Sequence, residues 1–185
     1  PGSPKERFSS RLWSEMFTIR NDGISIIDRA LFTGTLALGF TLEQQQQRAI
    51  DAQTSEHATL ANYAFDGTFL AETPYNLNVF ATRTQNTYVQ PSGSTTHSDV
   101  EYRGIALHLR ETSILRDKEI LPYFTANLQA FQQYDRQTTT SSGQTFRQDD
   151  RRDQVSFDFQ NGAETSDLNF QYQFTRLDNY AYEPG

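Results

Sequence analysis

The strongest constraint on this chain is an alternation of apolar and polar side chains that is sustained over long stretches. Apolar residues occupy every second position of 36–42, and the same period returns at 63–69, 75–81, 124–130 and 168–174. A β-strand turns alternate side chains to opposite faces, whereas a helix would spread these residues around its whole surface. The pattern therefore predicts an all-β protein.

The composition supports a sheet and excludes several classes of protein. Aromatic residues make up 13% of the chain, and Thr, Tyr and Phe suit a pleated surface. The net charge of −7, with only Lys5 and Lys118 beside the arginines, argues against a nucleic-acid-binding protein. The sequence has no apolar run of about 18 residues and no cysteine, which excludes a transmembrane helix, a disulfide framework and thiolate chemistry.

The alternation divides the chain into strand runs that we predict to form one antiparallel up-and-down meander of about eight strands. They are 12–20, 24–42, 58–72, 75–88, 99–111, 119–137, 153–160 and 167–181. The first run is also compatible with a short helix. A change of parity at Gly104 predicts a β-bulge in the fifth run. The runs form one predicted domain, 12–181, with a tail at 1–11 and a second tail or truncation point at 182–185.

The connections between these runs are predicted to alternate in length. Short turns are expected at Asn21-Asp22-Gly23, 73–74 and 161–166, with a moderate connection at 112–118. Long polar loops are expected at 43–57, which contains Gln44 to Gln47, at 89–98 and at 138–152. A meander with different loops at its two ends would give this rhythm. We expect 138–152 to be exposed, mobile and cut first by proteases.

Over residues 24–181 the chain resembles outer-membrane β-barrel proteins as a class. The resemblance depends on segments such as 65–70 followed by 75–80, and 168–174. It implies long strands with an apolar outer face and a polar lumen, short turns on one side of the membrane and longer loops on the other. It therefore predicts either a complete barrel or part of a larger one, in the outer membrane of a Gram-negative bacterium. The chain ends without the terminal aromatic residue that usually closes the last strand of this class.

The resemblance implies a passive, porin-like function as a pore, a conduit or a scaffold for a partner protein, with no catalytic activity and no cofactor. The residues predicted to line the lumen are Asn76, Asn78, His108, Arg110, Thr125, Asn127, Gln129, Asn169, Gln171 and Gln173. The residues predicted to face lipid are Leu36, Leu38, Leu107, Phe157 and Phe170. The expected partners are outer-membrane lipid and a protein or further barrel segment, but not nucleic acid.

A soluble β-sandwich or jelly roll is the alternative, because its strands also alternate, with the apolar face packed inward. Such a domain would be extracellular or periplasmic and would bind a polymer or a protein. A hydrolase on a jelly-roll scaffold is a third hypothesis. Such an enzyme would need two carboxylates held at a fixed separation. Its candidates are Asp66, Glu72, Glu101 and Asp158.

Other side chains with catalytic or binding chemistry are sparse. The histidines, His57, His97 and His108, show no metal-like spacing, and His97-Ser98-Asp99 places triad residue types on neighbouring positions that a strand would turn to opposite faces. Asp149, Asp150 and Asp153 carry carboxylates, which are the ligands that calcium prefers. Arg151 and Arg152 compete for these charges, so we predict a solvated loop there.

The abundant aromatic residues allow two interpretations. Tyr and Phe rings can stack on sugars while Asn, Gln and Arg bind the hydroxyls, or the rings can serve as core and membrane-interface anchors. In the barrel interpretation, Tyr63, Tyr75, Tyr102 and Tyr180 would belong to interfacial girdles.

The predicted loop rhythm also bears on whether the barrel is complete. Short turns on the periplasmic side leave the chain near Glu183 on the extracellular side, whereas bacterial barrels commonly keep both termini in the periplasm. We therefore predict a longer protein in which another segment or chain pairs with 167–181. The strands of this chain alone should then leave an open edge. Another segment or chain must pair with that edge, because unpaired backbone groups are not tolerated in lipid.

Overall fold

The computed structural model describes residues 9–25, 28–48, 53–89, 94–110, 124–163 and 166–182. They form strands β1 (Ser9–Ser25), β2 (Phe32–Arg48), β3 (Gln53–Phe69), β4 (Tyr75–Val89), β5 (Thr95–Arg110), β6 (Phe124–Ser141), β7 (Gln144–Ala163) and β8 (Ser166–Tyr182). The described residues contain no helix, so the predicted all-β class and the strand interpretation of the first run are confirmed. The predicted tails at 1–11 and 182–185 lie mostly outside the described residues.

The strands form a single eight-stranded antiparallel sheet in which each strand pairs with its neighbours in sequence order. The predicted up-and-down meander is therefore confirmed. β1 and β8 do not pair with each other, so the sheet is not closed into a barrel and the predicted open edge beside 167–181 is present. The described residues provide no second sheet, as a sandwich or jelly roll would require.

Every strand extends beyond its predicted bounds at one end at least, because these ends are polar and carry no apolar alternation. Gln44 to Gln47, predicted as part of a loop over 43–57, lie within β2 and pair with the start of β3. The last residues of the loop predicted at 89–98 pair similarly, since Thr95 to Ser98 belong to β5. The predicted alternation of long and short connections is therefore wrong, and it no longer indicates which end of the sheet faces outward.

The turn predicted at Asn21-Asp22-Gly23 lies inside β1 instead. Asp22 pairs with Thr35 and Ile24 pairs with Gly34, so Gly23 is an extra residue in the ladder. Its φ of +95° belongs to the left-handed region that glycine adopts without strain. A glycine signal that predicted a turn thus marks a β-bulge within the strand.

The long loop predicted at 138–152 is also wrong. These residues pair with one another across β6 and β7, from Ser141 opposite Gln144 to Asp135 opposite Asp150. Only Ser142 and Gly143 form the turn, with φ values of +50° and +80°. Positive φ at both central residues is typical of the two-residue hairpin turn whose twist matches that of the strands.

The bulge predicted at Gly104 is absent, because the pairing of β5 with β4 continues through this residue without a shift. Val100 and Tyr102 lie on the same face as Gly104, whereas Ile105, Leu107 and Leu109 lie on the opposite face. The change of parity therefore reflects apolar residues on both faces rather than a change of register.

Strands β3 to β7 are displaced successively along their length, whereas β1 to β3 are level with one another, as are β7 and β8. We call the end of the sheet that holds the β1–β2, β3–β4, β5–β6 and β7–β8 connections the lower end, and the opposite end the upper end. One row of paired residues runs from Ile19 in β1 through Leu38, Tyr63, Arg83, Glu101, Tyr134 and Arg151 to Asp178 in β8. Ile19 lies 6 residues from Ser25, the lower end of β1, and Asp178 lies 12 residues from Ser166, the lower end of β8. Such a stagger is what tilted strands require.

Candidate functional site: the two faces of the sheet

The pairing assigns every strand residue to one of two faces. We call the face that carries Leu38, Leu107 and Phe157 the front face, and the face that carries Asn78 and Asn127 the back face. All five residues predicted to face lipid lie on the front face, and all ten predicted to line a lumen lie on the back face. The register thus brings each set together, while the environment of each face remains a prediction.

The lower part of the front face is an apolar band. Its upper margin consists of Phe17, Leu42, Ala61, Ala81, Ile105, Ala130, Val155 and Phe174, in order from β1 to β8. Each of these residues lies between 5 and 10 positions from the lower end of its strand. Relative to the rows of paired residues, the margin shifts by eight positions towards the lower end between Leu42 and Ile105. From Ile105 to Phe174 it follows a single row.

Most of the band is uncovered. Ile19 is 72% exposed, Phe17 and Leu168 are 58% exposed, and Phe170 is 52% exposed. Phe32 is an exception at 5%, because its ring covers the paired glycines Gly34 and Gly67. The total accessible surface is 13414 Å², whereas a compact folded protein of 21.2 kDa has about 9,000 Å². Exposed apolar surface on this scale is typical of an interaction surface.

Above the band, the front face of β4–β8 carries a charged lattice. Its rows are Asp99, Arg136 and Asp149; Arg83, Glu101, Tyr134, Arg151 and Asp178; and Arg103, Gln132, Asp153 and Arg176. Arg136 and Arg147 both contact Asp149, at 3.2 and 2.9 Å, and Arg151 contacts Asp153 at 2.9 Å. Opposite charges thus alternate along and across the strands, so the lattice largely neutralises itself.

Tyr134 lies at the centre of the lattice. The guanidinium groups of Arg103 and Arg151 lie 5.6 and 5.5 Å from the centroid of its ring. These distances suit cation–π attraction. Hydrogen bonds from Gln132 and Arg151 lower the pKa of Asp153, so this carboxylate stays ionised and holds the neighbouring arginine in place.

The charged lattice lies next to the shortest strand pairing of the sheet, which is between β3 and β4. Tyr63–Phe69 pair with Leu77–Arg83, but the upper halves of both strands diverge. Gln85 bridges the strands where they part, since its Oε1 accepts a hydrogen bond from the amide of Ala61 at 2.8 Å. The amide of Gln85 donates to Oδ1 of Asn62 at 2.6 Å.

Asp99 anchors this bridge from β5. Arg83 donates two hydrogen bonds to its carboxylate, at 2.9 and 2.7 Å, and Nε2 of Gln85 donates a third at 3.2 Å. The bonds from Arg83 lower the pKa of Asp99, and partial burial only partly opposes them. The same pairing raises the pKa of Arg83. Both groups are therefore charged at neutral pH.

The back face is polar and rich in amides. Nδ1 of His108 lies 2.7 Å from Oδ1 of Asn127, and Nδ2 of Asn78 donates to Oδ1 of Asp66 at 3.2 Å. These pairs involve three of the predicted lumen residues. Cross-strand polar contacts of this kind order the face and leave donors and acceptors along it for water or a ligand.

An aromatic cluster interrupts this polar face, and we call it the aromatic platform. Its members are Phe80, Tyr102 and Phe131. The rings of Phe80 and Tyr102 are stacked with centroids 5.0 Å apart, and the ring of Phe131 is tilted 4.9 Å from that of Tyr102. A Cβ on Gly104 would lie 2.6 Å from the ring of Phe80, so this ring lies directly over the glycine. Tyr102 and Tyr63 were both predicted to belong to interfacial girdles. Tyr102 lies on the back face, whereas Tyr63 lies on the front face.

The structure does not assemble the other candidate sites. Ser98 lies on the back face while His97 and Asp99 lie on the front face, as expected for neighbours on a strand. Asp150 likewise faces away from Asp149 and Asp153. Across the described residues, no group of three or more His, Asp or Glu residues is arranged to hold a metal ion.

The four carboxylates proposed for a hydrolase are also dispersed. Asp66 in β3 and Asp158 in β7 share the back face but are separated by three strands. Glu101 lies on the front face, and Glu72 lies in the connection between β3 and β4.

Sequence reasoning missed the charged lattice, although the sequence contains a signal for it. Arg147, Asp149, Arg151 and Asp153 alternate in sign at every second position. This period indicates one charged face of a strand, but we interpreted the same residues as a solvated loop. The aromatic platform had no comparable signal, because its members come from three strands that only the register brings together.

Among the described residues, no helix has the length and apolar character needed to span a membrane. Comparison of the sequence and the structure with protein-family models, curated proteins and solved structures found no match.

Proposed function

We propose that this chain forms part of the wall of a β-barrel in the outer membrane of a Gram-negative bacterium. The apolar band of the front face meets lipid, and the polar back face lines the interior. The barrel acts as a pore, a conduit or a scaffold for a partner protein, and its wall carries out no catalysis.

The observation that carries this proposal is the course of the apolar band. In a barrel the strands tilt relative to the membrane, so a band of constant height must cross the rows of paired residues obliquely. The margin on the front face does so between Leu42 in β2 and Ile105 in β5, and it then follows one row from Ile105 to Phe174 in β8. A surface covered by a second sheet would have no reason to follow the strand ends.

The height of the band supports the proposal at its tallest point. The margin lies 5 to 10 residues from the lower ends of the strands, which is about 17–34 Å along the strand or about 13–26 Å in height at a tilt of about 40°. An outward apolar band in this class of barrel is about 25 Å tall. With strands of 15 to 20 residues, the upper halves extend beyond the band, where the charged lattice meets water or lipid headgroups.

The open edges support membership in a larger barrel. An unpaired strand edge in lipid leaves backbone donors and acceptors unsatisfied at a cost of several kcal/mol for each group. The outer edges of β1 and β8 therefore need strands from another segment of the protein or from another chain. A wall of more than eight strands also encloses more space than its own side chains fill.

The proposal is tested by comparing two arginine substitutions in neighbouring residues of β2. Leu38 lies on the front face near the middle of the band, and Ala37 lies on the back face. We expect Leu38→Arg to destabilise the membrane-inserted protein by about 2–4 kcal/mol, whereas Ala37→Arg is tolerated because the interior is polar.

Membrane insertion is measured on the full protein by its need for detergent during extraction and by heat-modifiable mobility in gels. Wild type and Ala37→Arg should require detergent and shift on heating, and Leu38→Arg should lose the shift. A protein that is monomeric in buffer without detergent contradicts the proposal, as does an equal effect of the two substitutions.

A further inference from the structure

We infer that the aromatic platform on the back face is a binding site for a neutral oligosaccharide, so that the barrel handles a glycan chain. The inference deepens the proposed function, because it names the class of ligand that the polar interior receives. Phe80, Tyr102 and Phe131 are each partly exposed, and their rings form one apolar surface across β4, β5 and β6.

The rings are held in a fixed arrangement. Gly104 and Ala106 occupy the back face of β5 beside Tyr102. Because Gly104 has no side chain, the ring of Phe80 can lie against the backbone there. Ala106 itself is buried at 8% exposure. A preorganised aromatic surface loses little conformational freedom when a ligand stacks on it.

The surroundings of the platform indicate the chemistry of the ligand. The flanking residues of the same face are Asn78, Thr82, Gln129, Gln133, Gln154, Asp66 and Arg152. Amides and hydroxyls both donate and accept hydrogen bonds, as sugar hydroxyls do, while aromatic rings stack on the apolar C–H faces of pyranoses.

Other ligand classes match the platform less well. A purely apolar ligand would leave the flanking amides without partners, which costs free energy. A phosphorylated or strongly acidic ligand would need several cations, whereas Arg152 is the one cation among these flanking residues and Asp66 opposes its charge. A neutral sugar chain satisfies both the rings and the amides.

The test uses the full protein folded in detergent micelles, with maltohexaose, cellohexaose and chitohexaose as probes. Saturation-transfer NMR should show contact with ring C–H protons of at least one probe, and calorimetry should give its affinity. We expect Tyr102→Leu and Phe131→Leu to weaken binding at least tenfold, while Tyr102→Phe retains most of it because the ring remains.

Phe146→Leu is the matched control, since Phe146 is an exposed aromatic residue of the same face, opposite Thr139 and apart from the platform. It should leave the affinity unchanged. Binding of none of the three probes, or an equal loss in the control, overturns the inference. Heat-modifiable mobility of the same samples reports insertion separately, so failure to bind sugar in an inserted protein leaves the proposed function standing.

Discussion

At the residue scale, the glycines of the strands differ in what their missing side chain allows. A Cβ on Gly104 would lie 2.5 Å from the carbonyl oxygen of Ala130 and 2.6 Å from the ring of Phe80. A Cβ on Gly39 would meet nothing closer than 3.7 Å. Gly104 therefore permits the close approach of β6 and the aromatic ring, whereas Gly39 has no such role.

We predict that Gly104→Ala lowers the free energy of unfolding by about 1–3 kcal/mol, because the backbone of β6 must move. Gly39→Ala should be neutral or slightly stabilising, since alanine restricts the unfolded chain. Urea unfolding of the two variants in detergent measures the difference. Equal stabilities would show that the Gly104 contact is not needed.

The bridge between β3, β4 and β5 gives a second prediction at this scale. Because the pKa of Asp99 is lowered in the folded protein, its carboxylate stabilises the fold above the unfolded value of about 3.9. This contribution is lost as the pH falls below that value towards the folded pKa.

We therefore expect urea stability to fall between about pH 5 and pH 2, and to fall less in Asp99→Asn. Asp153, whose pKa is also lowered, accounts for part of the remaining dependence. An unchanged pH dependence in Asp99→Asn would contradict the role assigned to its bonds with Arg83 and Gln85.

At the scale of the elements, the alternation of apolar and polar residues predicted the positions of the strands but not their ends. Apolar periodicity located parts of all eight strands, because one face of the lower half is apolar. It failed at Gln44 to Gln47 and at 138–152, because both faces are polar there and cross-strand pairing alone defines the strand. Glycine signals were equally ambiguous, since Gly23 marks a bulge and Gly143 a turn.

Hydrogen exchange tests these polar elements directly. Amides of 144–152 should exchange slowly because they pair with β6 and, from Arg147 onwards, also with β8, and proteases should not cut there. In β3 we expect amides of 63–69 to be more protected than those of 53–61, since only the lower half is paired on both sides. Rapid exchange throughout 144–152 would restore the interpretation of that segment as a loop.

At the scale of the whole molecule, the composition of each face was predictable and its extent was not. The parity of Leu38, Phe157 and Asn127 already separated two faces in the sequence. The oblique margin of the band depends on the stagger, which is set by the register of seven strand pairs and leaves no local signal. The open edge was anticipated, although from a loop rhythm that proved wrong.

The most direct test of the central claim compares spin labels at Leu38 and Arg151, which lie in the same row of paired residues on the front face. In vesicles we predict that a label at Leu38 is reached by a lipid-soluble quencher and a label at Arg151 by a water-soluble one, because the tilted strands place them at different depths. Protection of Leu38 from both quenchers, or the same environment at both positions, would contradict the account.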